Sequence, residues 1–150
     1  MGAINRRQAF VLGGGFVALT VMPMAANAEP SNDAAELIKT FTGGKEAAKG
    51  KIALDLPEIA ENGNTVPLAL TVESPMTAEN YVKEVLFVAD GNPNAGVATL
   101  MFTPMSGKAE ASIRIRLAQT QNVIAVAKMS DGSLFTERKT VKVTIGGCGG

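Results

Sequence analysis

Apolar and polar side chains alternate with a period of two through most of the chain after residue 50. Ile52, Leu54 and Leu56 fall on one face of an extended segment, and the charged Lys51 and Asp55 fall on the other. Successive side chains of a β-strand point to opposite faces, so this alternation predicts a half-buried strand. The same criteria predict about seven strands, at residues 51–56, 66–72, 82–89, 97–103, 111–117, 122–128 and 134–145.

A single short helix is predicted ahead of the strands. Asp33 suits the N-cap position, and Glu36 follows three residues later in the pattern of a capping box. The next apolar side chains share one side of the helix, and Gly43 and Gly44 are expected to end it.

Turn-forming residues separate the predicted strands. The Asp131-Gly132 pair, for example, suits a tight hairpin between the last two strands. Short strands spaced by such turns predict an all-β fold, an immunoglobulin-like β-sandwich of about seven strands with a short N-terminal helix. This domain is expected to occupy residues 29–145, followed by a C-terminal arm at residues 146–150.

The N-terminus has the pattern of an export signal. Arg6 and Arg7 precede an apolar run at residues 11–21, and Ala26 and Ala28 form an A-x-A cleavage site. The run is too short for a membrane span, so no membrane anchor is expected. The paired arginines favour a twin-arginine signal peptide at residues 1–28 and a periplasmic protein. An ordinary Sec signal is the alternative.

Composition excludes several kinds of chemistry. The chain has no histidine and one cysteine, so it cannot by itself build a Cys/His zinc site or a Ser-His-Asp or Cys-His catalytic group. We therefore expect no zinc site and no catalytic group of these types. The formal net charge is zero and no basic stripe is present, so nucleic acid is not an expected partner.

The single cysteine lies in the last five residues, Gly146-Gly147-Cys148-Gly149-Gly150. Glycines have no side chains to pack, which predicts a flexible arm that can enter a narrow cleft. The strand that precedes the arm, at residues 134–145, is predicted to be anchored in the core by Val141, Val143 and Ile145. From Ile145 the thiol would reach roughly 10 Å, at 3.3–3.6 Å per residue.

An exposed thiol of this kind has three functional interpretations, beside that of an incidental cysteine in an unstructured tail. The first is a covalent carrier that presents bound substrate to enzymes, which would supply the activation that the arm lacks. The second is a structural β-sandwich assembly module whose tail cysteine forms an interchain disulfide. A redox-sensing thiol is disfavoured because no resolving cysteine or activating cation accompanies it.

The terminal Gly-Gly-Cys-Gly-Gly and the segment LPEIAENGNTVP at residues 56–67 resemble the SoxY family. These proteins are the sulfur-carrying subunits of the bacterial periplasmic sulfur-oxidising (Sox) system. The resemblance implies that Cys148 covalently holds sulfur intermediates and that the chain is a carrier rather than an enzyme.

The resemblance also implies partners. A c-type cytochrome complex would join thiosulfate to Cys148 as a cysteine S-thiosulfonate. A hydrolase would release sulfate, and a sulfane dehydrogenase would oxidise the remaining sulfur. The family further implies a heterodimer with SoxZ, a β-sandwich subunit.

Twin-arginine export moves folded proteins, so a SoxZ without its own signal would leave the cytoplasm bound to this chain. We expect deletion of residues 1–28 to retain SoxZ in the cytoplasm, as measured by fractionation and immunoblotting. Normal SoxZ export would contradict this prediction.

Overall fold

Two β-sheets and one helix make up the described part of the chain. The structure is a computed structural model that describes residues 32–147, so the predicted signal peptide and residues 148–150 lie outside it. The elements are α1 (Ala34–Thr42), β1 (Ala48–Lys49), β2 (Ile52–Asp55), β3 (Ile59–Asn62), β4 (Val66–Val72), β5 (Val82–Ala89), β6 (Gly96–Met101), β7 (Ala109–Ile115), β8 (Gln121–Met129) and β9 (Leu134–Ile145), with a 3-10 turn at Pro104–Ser106.

The strands form a sandwich, which confirms the predicted fold class. The larger sheet has the order β1-β9-β8-β5-β6, and β3 also pairs with β9. The smaller sheet has the order β2-β4-β7 and is antiparallel throughout. Apolar side chains from both sheets fill the space between them, among them the fully buried Leu68, Leu70 and Phe87.

The two central strands of the larger sheet are buried on both faces. In β5, Val85 and Phe87 point into the sandwich, whereas Leu86 and Val88 belong to a second apolar cluster that includes Ala34 of α1. The helix therefore covers the outer face of this sheet. Within residues 32–147, no helix has the length and apolar character needed to span a bilayer.

The helix starts and ends where the sequence predicts, but its start is held differently. Gly43 adopts a left-handed conformation, φ 65°, which glycine tolerates because it lacks a Cβ. Asp33 occupies the N-cap position without a side-chain capping bond, so the predicted capping box with Glu36 is wrong. Its carboxylate instead accepts the backbone N–H of Ala95 at 3.3 Å, because the helix packs against that loop.

The last strand is longer than its main partner. β9 pairs with β8 as far as Val141, and beyond this residue it pairs in parallel with β3. Val141 is buried and Val143 partly so, but Ile145 is 66% exposed. The prediction that Ile145 points into the core is therefore wrong, because β9 continues past the part of the sheet that the sandwich covers.

A short turn joins the antiparallel strands β8 and β9, as the Asp131-Gly132 pair predicts. Four residues, 130–133, connect the strands, and the backbone N–H of Met129 donates to Ser133 O at 2.9 Å. Gly132 takes a φ of 85°, which explains the glycine at this position.

Removal of the largest core side chain tests the sandwich. Phe87 has no exposed surface, so Phe87→Ala is expected to lower the free energy of unfolding by about 3–5 kcal/mol. Met105 is 96% exposed and supplies the control. Met105→Ala should change the free energy of unfolding by less than about 0.5 kcal/mol. Chemical denaturation measures both, and equal effects would contradict the packing described.

Candidate functional site: the base of the cysteine arm

The structure describes two of the residues predicted to form the functional arm. Gly146 and Gly147 are described, whereas Cys148, Gly149 and Gly150 lie outside the described residues. The export-signal residues Arg6, Arg7, Ala26 and Ala28 also lie outside them. Covalent attachment at Cys148, arm mobility and export therefore stay predictions, and the geometry available is that of the arm's base.

Three chain segments meet where β9 ends. They are the loop that follows β3, the loop that connects β7 to β8, and the two glycines that follow β9. The parallel pairing of β3 with β9, with Asn62 opposite Ile145, brings the first and last segments together. The fully buried side chain of Leu117 fixes the middle segment in the core.

A continuous series of backbone hydrogen bonds joins the three segments. The N–H of Gly63 donates to Ile145 O at 2.7 Å, and the N–H of Leu117 donates to Gly63 O at 2.8 Å. The N–H of Gly147 then donates to Leu117 O at 2.8 Å. Each distance lies in the range of a well-formed N–H···O bond, so the base of the arm is bonded to the sandwich on both sides.

The same contacts leave no space for side chains. A Cβ on Gly63 would lie 2.2 Å from Leu117 O and 2.7 Å from Gly147 N. A Cβ on Gly147 would lie 2.7 Å from Gly63 O, and one on Gly146 would lie 2.1 Å from Ala118 O. Because all these neighbours are backbone atoms, glycine is required here for close approach.

A buried amide supports the middle segment from behind. Asn92 is 3% exposed, and its side chain donates to Arg116 O and accepts from Ala118 N–H, both at 2.9 Å. These two bonds bracket the Leu117 residue. The buried Gln121 donates to the same Asn92 oxygen at 2.8 Å and accepts from Gly91 N–H at 2.7 Å. The loop that receives Gly147 is thus held by satisfied polar groups.

Neither a candidate metal cluster nor a resolved pKa shift marks the base of the arm in the described part of the chain. Among residues 32–147, no cluster of three or more His, Cys, Asp or Glu side chains is placed to hold a metal ion. At the opposite end of β8 and β9, hydrogen bonds from the Ser133 side chain and backbone lower the pKa of Asp131. That carboxylate closes the turn and lies far along the strands from Gly147.

Sequence reasoning identifies the arm but misses its supports. Gly63 and Asn92 lie in predicted turns at residues 61–64 and 90–94, and Gly63 also falls within the family-like segment 56–67, which assigns it no role. Asn and Gly are common in turns, so local sequence carries no signal that either position meets the arm. Only the tertiary contacts of the Leu117 residue reveal their role.

These features define a class of protein: an all-β sandwich whose longest described strand is followed by two closely packed glycines and, next in sequence, by a cysteine. The family model for the sulfur oxidation protein SoxY matches residues 38–148. The chain therefore belongs to the SoxY family of sulfur oxidation proteins. The match extends to Cys148, the only cysteine in the sequence.

A family member of known structure has the same fold. The sulfur carrier protein SoxY from Chlorobium limicola f thiosulfatophilum is 29% identical, with a TM-score of 0.60, over 74% of this chain and 96% of that one.

Superoxide reductases also share the fold. The superoxide reductase (neelaredoxin) from Ignicoccus hospitalis is 17% identical, with a TM-score of 0.55, over 63% of this chain and 80% of that one. At this identity the likeness shows the fold alone. No curated protein sequence matches the chain.

Proposed function

We propose that this chain is a covalent sulfur carrier of periplasmic thiosulfate oxidation, with the intermediates held on Cys148. The observation that carries the proposal is the SoxY family match, which runs through the sandwich and includes Cys148. The likeness to a sulfur carrier protein over nearly all of that protein's length supports the same function.

Cys148 is the residue suited to hold sulfur. A thiol forms and breaks sulfur–sulfur bonds reversibly, and the chain contains no other thiol. The described residues around Gly63, Leu117 and Gly147 are joined by backbone groups and bring no cation or general base to the arm's base through these bonds. Activation of the sulfur is therefore assigned to the partner enzymes, and this chain acts as a carrier without catalysis of its own.

The proposed cycle begins with an oxidation. The Cys148 thiol and the terminal sulfur of thiosulfate form a sulfur–sulfur bond, giving a cysteine S-thiosulfonate, one proton and two electrons. A c-type cytochrome complex accepts the electrons. The carrier needs no redox cofactor for this step, because the electrons leave through the partner.

The second step is a hydrolysis. Water attacks the sulfonate sulfur and releases sulfate and a proton, which leaves a cysteine persulfide on Cys148. A sulfane dehydrogenase, where the host has one, would take six electrons from the outer sulfur and pass them to a c-type cytochrome. Three water molecules would supply the oxygens, giving a cysteine S-sulfonate and seven protons. Further hydrolysis would then free the thiol for another cycle.

Two further assignments accompany this function. SoxZ is proposed as the stable partner in a heterodimer, whereas the enzymes make transient contacts. The twin-arginine signal predicted at residues 1–28 would deliver the chain to the periplasm, where those partners act.

Replacing the thiol tests the proposal. Cys148→Ser is expected to abolish thiosulfate-dependent cytochrome reduction in a reconstituted Sox system, because serine cannot form the sulfur–sulfur bond. Circular dichroism and co-purification with SoxZ should be unchanged. Retained activity would contradict the carrier function, and a stoichiometric interchain disulfide in the unsubstituted protein would favour the assembly module.

A relocated thiol is the matched control. Ser112 is exposed on β7, so the double variant Cys148→Ser/Ser112→Cys keeps one accessible thiol but removes it from the arm. This variant should remain inactive. Activity restored by the relocated thiol would show that position on the arm is unimportant.

A further inference from the structure

We infer that Gly63, Leu117 and Asn92 form a seat for Gly147, and that Gly63 and Asn92 are thereby positioning residues for the Cys148 thiol. The purpose of the seat rests on the proposed carrier function, whereas its existence is a property of the fold. The chain is still bonded to the sandwich at Gly147, two residues beyond the end of β9.

The first part of the argument is the bonding of Gly147. Its N–H donates to Leu117 O at 2.8 Å, and the Leu117 N–H donates to Gly63 O at 2.8 Å. The Leu117 residue thus links Gly63 to Gly147 through both of its backbone polar groups. Gly147 is buried, unlike the neighbouring Gly146.

The second part is the required absence of a side chain at Gly63. Its φ lies outside the left-handed region, so backbone conformation alone does not demand glycine. Space does, since a Cβ would lie 2.2 Å from Leu117 O and 2.7 Å from Gly147 N. Any larger residue would therefore push the Leu117 carbonyl and the Gly147 N–H away from Gly63 and disrupt the bonds at the base of the arm.

The third part is the support that Asn92 gives from the other side. Its side-chain amide bonds Arg116 O and Ala118 N–H, the peptide groups on either side of Leu117. Both polar atoms of a planar amide are used, which fixes the direction of the Leu117 carbonyl. That carbonyl is the acceptor of the Gly147 bond.

The consequence concerns the thiol. While Gly147 is seated, a single Cα–Cα step of about 3.8 Å separates it from Cys148. The seat therefore fixes the point from which Cys148 is tethered, one residue beyond Gly147. If the Gly147 hydrogen bond opened, the Cys148 thiol would regain the longer reach of roughly 10 Å that chain length allows from Ile145.

Amide hydrogen exchange on the unsubstituted protein is the first test. The Gly147 amide is expected to exchange at least about tenfold more slowly than an unstructured peptide, because its hydrogen bond must open first. Exchange at the unprotected rate would overturn the inference. This outcome requires no variant and no Sox activity, so it is independent of the carrier function.

Gly63→Ala is the second test, with Gly96→Ala as its control. The added Cβ at Gly96 would make only an ordinary contact, 3.4 Å from Leu37 Cδ1. In Gly63→Ala, the Gly147 amide should exchange at a rate within about twofold of that of an unstructured peptide. The electron paramagnetic resonance spectrum of a nitroxide label on Cys148 should also become narrower. Gly96→Ala should change neither the exchange rate nor the spectrum. Equal exchange rates and spectra in the two variants would overturn the seat.

The third test does not depend on Gly63→Ala folding. Asn92→Asp keeps an oxygen towards Ala118 N–H but loses the donor to Arg116 O. Asn94→Asp makes the same charge change at an exposed position of the same loop. Faster Gly147 exchange in Asn92→Asp alone supports the inference, and unchanged or equally faster exchange in both variants overturns it.

Enzyme-dependent loading connects the seat to function. In Gly63→Ala, loading of Cys148 by the cytochrome complex should slow about tenfold or more, while alkylation by a small thiol reagent should not slow. Slower alkylation, or unchanged loading despite a released Gly147, would contradict a positioning role. Loss of activity in Cys148→Ser bears only on the carrier function.

Discussion

The C-terminal strand is the constraint on which the rest of the structure depends. β9 pairs with β8 along its first part and with β1 and β3 in parallel, so it joins segments that are distant in sequence. Since β8 and β5 are buried on both faces, the strand is held by the most deeply packed part of the protein. The point where β9 ends is fixed by the whole sandwich rather than by a local turn.

Under the proposed function, this arrangement suits a protein that must present one atom to several enzymes. A carrier gains nothing from binding its cargo in a pocket, because each partner must reach the same sulfur. A rigid sandwich with a thiol at its end separates the structural task from the chemical one. The superoxide reductases that share the fold show that the sandwich supports different functions.

Much of the fold follows from local sequence. The strands at Val66–Val72, Val82–Ala89 and Leu134–Ile145 match the predicted bounds, because apolar runs end at clear turn residues. The sequence does not predict β1 and β3, since they are short and pair in parallel with β9, a contact that periodicity does not encode. The alternation of apolar and polar residues wrongly predicts that Ile145 lies in the core. Alternation shows which face of a strand a side chain occupies, but not whether neighbouring strands extend far enough to cover that face.

The site, too, is predicted from sequence only in part. The terminal motif predicts Cys148 as the site from sequence alone, because glycines around a sole cysteine are a local signal. The supports of Gly147 depend on where the loops at Gly63 and Asn92 come to lie in the folded protein. Gly63 has an ordinary φ and Asn92 lies in a turn-like segment, so neither is distinguishable from a common loop residue until the packing is known.

Intact-protein mass spectrometry tests the central claim most directly. The mature chain would be isolated without reductant from cells that are oxidising thiosulfate, with the Cys148→Ser chain isolated alongside it. The carrier account predicts sulfur or sulfonate adducts that reductant removes and that the serine variant lacks. A cysteine that is always bare, or occupied only by an interchain disulfide, would contradict the account.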